Sequence, residues 1–375
     1  MEILYEVWLH SVASFEPDVA AKLVPLFEKQ EVSFHSGNTD KKLLNEIGLA
    51  GKFSMRMSDP DVFQQARDVI KYCSDNGIRI VTMDSPEYPK TLKHINLPPR
   101  ILFVKGAQLS KENEIGVAVV GCRRCTEHGK SFARLVGQSL GRSNITVVSG
   151  LAEGIDGQAH MGALDAGGKT VAVLAGSVDE IYPPCHQRLY REILENGGTI
   201  VSERPPKTPV KKYFYQQRNR IIIGMSLGTV VVEGAAEGGT SISARLALEE
   251  NKDIFAVPGS PMLWQSKLPN LLIDEGATVV HNADVPADNY IERYPGIVSK
   301  KEVKEESEPD GISKHIISED ERIIKFLEEN GGIATADKIA ENCKISINVL
   351  SGRLTILCIK GRLRQESGGR YILIK

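Results

Sequence analysis

Between about residue 86 and residue 283 the chain alternates short apolar runs with helical segments, and few folds accept that pattern. Runs rich in β-branched residues occur at 116–120, 145–148, 170–174, 199–201, 229–232, 254–257 and 278–280. Helical segments such as 130–140, 158–166 and 241–250 lie between them. The apolar character of the runs is nearly continuous, as a strand covered by helices on both faces requires. The pattern predicts an α/β fold built on a parallel, doubly wound sheet. In such sheets ligands sit beyond the carboxyl ends of the strands, so the residues that follow each strand carry the functional information.

The flanks are of a different kind. Residues 1–85 lack strong strand signals and read as a small helical domain; Val62, Ala66, Val69 and Ile70 share one helical face, and Asp59 before Pro60 is a start signal. Ile47-Gly48-Leu49-Ala50-Gly51-Lys52 has the form of a helix-hairpin-helix turn, which offers backbone N–H groups to a DNA phosphate, and equally of ordinary helix-ending glycines. Across 284–317 apolar residues thin out and charges crowd together, as at Lys300-Lys301-Glu302-Val303-Lys304-Glu305-Glu306, which predicts a solvated linker. Residues 318–375 read as a winged-helix domain: a capping box at Ser318-Glu319-Asp320-Glu321, helix starts at Thr335 and Ser346, then two strands around Ser367-Gly368-Gly369. Its recognition-helix candidate, 347–359, exposes few cations, so a protein contact is at least as reasonable a role as duplex binding.

Composition narrows the function classes. Lys+Arg 46 against Asp+Glu 48 gives a formal charge of -2, which excludes a polybasic protein but not a local basic patch. No apolar run approaches the roughly 18 residues of a membrane helix, and the acidic start Met1-Glu2-Ile3-Leu4-Tyr5-Glu6 does not read as a secretory signal. Six cysteines scattered over 375 residues suit a reducing cytoplasm rather than a disulfide scaffold.

The loops after the strands are glycine-rich and cationic. Gly121-Cys122-Arg123-Arg124 follows the first run; the glycine permits a tight turn, and an arginine over a helix N-terminus suits phosphate. A dinucleotide site would read G-x-G-x-x-G here with an acid ending the next strand, and neither is present. The next loop, Ser149-Gly150-Leu151-Ala152-Glu153-Gly154-Ile155-Asp156, brings Asp156 and His160 onto one helical face, either as a general base or as a cap that fixes the loop. Gly168-Lys169-Thr170 resembles a P-loop end but enters a strand, so Gly168 is read as ending a helix. Cys122, Cys125, Cys185 and His186 make only a weak zinc pattern, with Arg123 and Arg124 opposing a dication. No metal or cofactor is expected.

The densest cationic stretch runs from Glu203 to Arg220, with Arg204, Lys207, Lys211, Lys212, Arg218 and Arg220 against one acid and with Tyr213, Phe214 and Tyr215 among them. Cations that track a backbone, interleaved with rings on which bases stack, are the equipment of single-strand binding. Gly234-Ala235-Ala236-Glu237-Gly238-Gly239-Thr240-Ser241 is a further glycine-rich helix entry able to receive a phosphate. Together these loops predict an anion-binding groove without covalent chemistry. Arg123, Lys212, Arg218 and Arg220 are the expected phosphate contacts and Tyr215 the expected stacking ring.

The same residues resemble a known family. Gly150-Leu151-Ala152-Glu153-Gly154-Ile155-Asp156 with His160, then Tyr182-Pro183, Ser202-Glu203, Arg218-Asn219-Arg220-Ile221-Ile222 and Val257-Pro258-Gly259 are similar, in that order, to the DNA-processing protein A (DprA/Smf) family. Tyr88-Pro89, Pro98-Pro99-Arg100-Ile101-Leu102 and Lys105-Gly106 resemble that family's lead-in to its extended Rossmann domain. The resemblance covers residues 86–283 densely. It implies a cytoplasmic, homodimeric single-stranded-DNA-binding protein that protects incoming DNA in natural transformation and loads the RecA recombinase, catalysing no reaction. It places a Gly-Ser-Arg loop on Gly121-Cys122-Arg123 and a Phe-Pro-x-Arg-Asn-Arg motif on Tyr215-Gln216-Gln217-Arg218-Asn219-Arg220, with Lys212 ahead of it. The chain departs from the family pattern at Cys122, at Tyr215-Gln216, and at Leu268-Pro269, where a glycine is usual before Asn270.

A second reading comes from a different class. Gly228-Thr229-Val230-Val231-Val232-Glu233 echoes, with one residue more before the acid, the Gly-Thr-x-x-Glu of lysine-decarboxylase-like phosphoribohydrolases, in which Glu233 would act in glycosidic cleavage and Arg123 would bind one phosphate of a small nucleotide. The Pro-Gly-Gly that precedes that motif is absent, since Ile223-Gly224-Met225-Ser226-Leu227 stands there.

Overall fold

A computed structural model describes residues 3–13, 16–28, 48, 52–57, 59–109, 115–295, 297–298, 319–343, 345, 350, 353–354, 357–358, 362–366 and 369–374. The chain divides into two units, Met1–Glu302 and Val303–Lys375. The first unit opens with helices α1 (Ile3–Val12), α2 (Pro17–Glu28), α3 (Lys52–Met57) and α4 (Pro60–Asp75). Helix α4 starts where the sequence indicates: the Asp59 side chain accepts the Asp61 N–H at 2.9 Å and Pro60 occupies the first turn, where its missing N–H costs nothing. Most of the hairpin-turn candidate at 47–52 lies outside the described residues.

Two strands, β1 (Arg79–Thr82) and β2 (Ile101–Gly106), lead into an alternating series. It runs β3 (Gly116–Val120), α5 (Glu127–Arg142), β4 (Thr146–Ser149), α6 (Ile155–Asp165), β5 (Thr170–Val173), α7 (Gln187–Glu195) and β6 (Thr199–Ser202). It continues with α8 (Phe214–Gly224), β7 (Gly228–Val231), α9 (Gly239–Glu249), β8 (Asp253–Ala256), α10 (Lys267–Asp274), β9 (Thr278–Val279) and α11 (Val285–Arg293). The nine strands form one sheet in the order β1-β2-β6-β5-β4-β3-β7-β8-β9. Pairing is parallel from β6 to β9 and antiparallel at β1–β2 and β2–β6. The doubly wound α/β architecture predicted from the alternation is therefore the one observed.

Burial explains the continuous apolar runs. Val117 and Val119 of β3 pack with Ala133, Val136 and Leu140 of α5 and Ile155, Ala159 and Ala163 of α6, while Ala118 and Val120 face the opposite layer with Ile221 and Ile222 of α8 and Ala244 of α9. Helix α1 and the inner face of α4 join a third cluster against Ile101 and Phe103 of β2 and Ile200 of β6. Gly168 closes α6 as expected, its N–H donating to Ala163 O at 2.9 Å with Gly167 at φ +61 before it.

Two expectations about boundaries need correction. The sheet takes in Arg79–Thr82, inside the stretch read as purely helical; β1 and β2 are antiparallel additions joined by turns and a short 3-10 segment, Lys90–His94, so they lack the α-helical spacers that betray the other strands. The segment read as the start of the linker is helix α11, in which Tyr290 is fully buried and donates its hydroxyl to Asp253 at 2.7 Å. Tyr290 is its largest buried side chain, with Pro286 and Ala287 buried beside it, and so few apolar residues among charges do not stand out in a count.

The second unit contains α12 (Glu319–Glu329), β10 (Ile333–Thr335), α13 (Ala336–Cys343), β11 (Leu363–Glu366) and β12 (Arg370–Leu373). Its strands pair antiparallel in the order β10-β12-β11, over a core that includes Ile323, Leu327, Ile339, Leu354 and Leu363. Thr335 ends β10 directly before α13, and the expected hairpin is β11–β12. Ser318, Ser346 and most of 347–359 lie outside the described residues.

Candidate nucleic-acid interface

The chain leaves β3 toward β4, β5 and β6, then returns to place β7 on β3's other side. The carboxyl ends of β3 and β7 are thus the point where the winding reverses, the usual ligand position in an open α/β sheet. The two loops leaving these ends are joined, with the Cys122 N–H donating to Glu233 O at 2.8 Å. A cleft of about 590 Å³ opens there. Its floor includes Val120, Gly121 and Cys122, and its walls come from the start of α8 and the glycine-rich entry to α9.

Helical spacing decides what α8 contributes. Tyr215, Arg218, Asn219 and Ile222 stand at i, i+3, i+4 and i+7, and all four line the cleft. Lys212, exposed just ahead of the helix, lines it as well. From the β3 loop the exposed Arg123 reaches over the Tyr215 ring, its guanidinium carbon 4.9 Å from the ring centre. This pair holds a cation and a π-face at one edge of the cleft. Gly238 and Gly239 present open backbone at the head of α9 on the opposite side. Asn219 bridges the walls: it accepts the Arg218 Nε–H at 3.2 Å and its amide reaches Gly239 O at 3.4 Å.

Two expected phosphate contacts, Arg218 and Arg220, and the loop glycines Gly150 and Gly154 are placed differently from Arg123 and Lys212. Arg218 lines the cleft but is only 7% exposed, and its Nη1 donates to Gly150 O at 2.8 Å and Val173 O at 2.5 Å. Burial pushes its pKa down while Asp156 opposes that shift. Its Nε and Nη1 are engaged inside the protein, so it serves as a peg between α8 and the β4 and β5 ends, with most of the side chain withdrawn from the cleft. Arg220 stands two residues further along the helix and so projects from another face. Its Nη2 donates to both Glu203 carboxylate oxygens, at 2.6 and 2.7 Å, and it does not line the cleft. The pair belongs to the contact with the N-terminal helices, where His10 Nε2 meets Glu203 O at 3.0 Å.

Gly150 and Gly154 stand behind the cleft. A Cβ on Gly150 would fall 2.5 Å from the Arg218 guanidinium carbon, so glycine makes room for the peg. Gly154 has φ +83, and a Cβ there would fall 2.6 Å from Cys122 O and 2.7 Å from Arg123 O. Its backbone is the shelf on which the Arg123 loop rests. The family-pattern Asn270 does a similar service, since its side-chain amide brackets Gly259, accepting that N–H at 3.1 Å and donating to the carbonyl at 2.9 Å.

The groups that could have supplied acid–base chemistry are tied into this scaffold. Asp156 accepts the Gly150 N–H at 3.1 Å. The Leu151 N–H donates to His160 Nε2 at 3.3 Å, which leaves the imidazole proton on Nδ1, 2.6 Å from Thr170 Oγ1. Burial, first, and then the nearby charges push His160 down to about 3, so it is neutral. Between the cap and general-base roles, the geometry supports the cap. Glu233, 8% exposed, accepts the Thr126 N–H at 2.8 Å and the Thr126 hydroxyl at 2.6 Å, closing the start of α5. Cys122 is pushed up to about 12 by burial, and among the described residues no three His, Cys, Asp or Glu side chains gather where they could hold a metal.

Among the charged and aromatic lining residues, two were given no role of their own by the sequence. Trp264, 42% exposed, follows β8, and Glu237 stands exposed in the glycine-rich entry to α9. Trp264 lies five residues past Val257-Pro258-Gly259, so reading the post-strand loop to its end would have reached it.

A family model for DNA recombination-mediator protein A matches residues 79–290, more than half of the chain. The chain belongs to this family. The match begins at the first residue of β1 and ends within α11, so the family's shared part is the sheet that carries the cleft. Protein Smf of Escherichia coli is 34% identical over 287 residues, covering 76% of this chain and 74% of that protein. The X-ray structure of DNA processing protein A from Streptococcus pneumoniae superposes with a TM-score of 0.64 at 31% identity, over 77% of this chain and 99% of that one. A DNA processing protein A structure from Helicobacter pylori, described for its single-stranded-DNA binding mode, matches with a TM-score of 0.52 at 27% identity, over 58% of this chain and 97% of that one.

Proposed function

We propose that this member of the recombination-mediator family binds single-stranded DNA in the cleft between the β3 and β7 ends and releases it chemically unchanged. The observation that carries the proposal is the Arg123–Tyr215 pair beside Lys212, facing the open glycine backbone of 238–239 across one cleft. Cations at one wall hold phosphates, a ring receives a base, and the acid–base groups nearby are held by backbone or hydroxyl partners. The single-strand binding described for the Helicobacter pylori relative supports the same ligand. As a mediator, the protein keeps incoming strands covered in the cytoplasm, works as a homodimer, and hands the strand to RecA; membership of the family supports this reading.

Arg123 and Lys212 neutralise at least two phosphates, so log affinity for labelled oligothymidine falls with log salt at a slope of about -1.4 or steeper. Replacing either by Ala flattens the slope by about 0.7, whatever the base sequence. An unchanged slope in both variants would remove the proposal. The nucleotide-cleaving alternative is tested by incubation with nucleoside monophosphates, where no free base is expected, because Glu233 is engaged by Thr126.

A further inference from the structure

Trp264 has a role that neither the family pattern nor the cationic stretch points to. It begins a short 3-10 turn, Trp264–Ser266, after the β8 loop, on the same cleft as Arg123 and Tyr215. The segment is fixed from behind: Gly234 N–H donates to Gln265 O at 2.6 Å, and Leu268 N–H donates to Gly234 O at 3.0 Å. The indole is therefore carried on a held turn, yet 42% of the residue is exposed.

The two rings on the cleft differ in what already covers them. Tyr215 has the Arg123 guanidinium over its face. Among the described residues no ring or cation stacks on Trp264 and no hydrogen bond is made by its indole N–H. A large flat ring on a held turn, 42% exposed and with no ring or cation stacked on it, in a cleft whose cations attract a polyanion, is suited to a base.

We infer that Trp264 is a second stacking platform, receiving a base further along the strand from the one at Tyr215 and extending the bound track from β3 across β7 to β8. The inference rests on the single-strand reading proposed above. It adds that part of the affinity comes from bases rather than phosphates, and that this part belongs to a position outside the Arg-Asn-Arg motif.

The test uses the full chain and fluorescein-labelled oligothymidine, with an abasic oligomer of equal length as the second probe. Trp264→Ala is expected to weaken oligothymidine binding about five- to 150-fold with an unchanged salt slope, and to leave abasic binding as in the parent protein. Trp264→Phe keeps a ring and retains most of the affinity. Oligothymidine quenches tryptophan emission of the parent protein but not of Trp264→Phe, because Trp8, the other of the two tryptophans, is buried in the N-terminal core. Equal oligothymidine affinity in Trp264→Ala and the parent would overturn the inference, as would an equal loss on the abasic oligomer, which would mark a structural role. If the parent protein shows no salt-sensitive capture of either oligomer, the single-strand reading itself falls, and this inference with it.

Discussion

Arg218 and Arg220 flank one asparagine, and on paper they are equivalent phosphate contacts. In the structure one is a buried peg against Gly150 O and Val173 O, and the other is locked to Glu203. Helical spacing puts them on different faces, but the local sequence does not reveal their partners, which lie 68 and 17 positions away along the chain. Arg123 and Lys212, by contrast, are exposed on the cleft, and the rule that ligands gather after strand ends was enough to find Arg123. Two residue-scale outcomes follow. Gly154→Ala puts a Cβ into the Cys122–Arg123 carbonyls at a positive φ, so it should lower stability by about 1–3 kcal/mol and weaken oligothymidine binding, read by urea midpoint and by fluorescence anisotropy. Glu237→Gln removes an exposed carboxylate from the cleft wall and should tighten binding a few-fold at low salt, with the gain fading as salt rises.

At the scale of the element, the parallel strands from β3 to β8 and their helices were legible because those strands are largely buried and apolar and each helix has a spacer's length. The face presented by α8 was legible in part: Tyr215, Arg218 and Asn219 share it by helical spacing, and Arg220 does not. Short antiparallel β1 and β2, and the tyrosine-anchored α11, left no comparable pattern. The loop between β4 and α6 offers a pH test. His160 is held at about 3 in the folded protein against about 6.5 when unfolded, so the unfolded state takes up the proton first as the medium acidifies. The stability it confers is present above about pH 6.5 and is lost as pH falls toward 3, amounting to about 2 kcal/mol by pH 5. Buried His10 shifts in the same direction and adds to the loss. Urea midpoints at pH 7.5 and pH 5 check this, and His160→Gln should narrow the difference. Glu233→Ala is expected to lower stability by about 1–3 kcal/mol by stranding the Thr126 N–H and hydroxyl, seen as a drop in Tm.

At the scale of the whole molecule, the cleft proposed to take the strand lies in one of two units. The cleft, the pegs behind it and the N-terminal helices all belong to Met1–Glu302. The second unit, Val303–Lys375, was legible as a small helical module with a hairpin, but its partner was not, since its capping and core residues say only that it folds. Net charge told as little, because a nearly neutral chain hides a local cationic wall. The central claim is that this wall and its rings hold an unpaired strand. The most direct measurement is competition between labelled oligothymidine and a matched duplex for the full chain, at low and at near-physiological salt. The account predicts tight, salt-sensitive capture of the single strand, weaker capture of the duplex, and loss of the single-strand preference when Arg123, Lys212 and Tyr215 are all replaced by Ala. Equal retention of both ligands, or a triple variant that binds the single strand as the parent does, would contradict it.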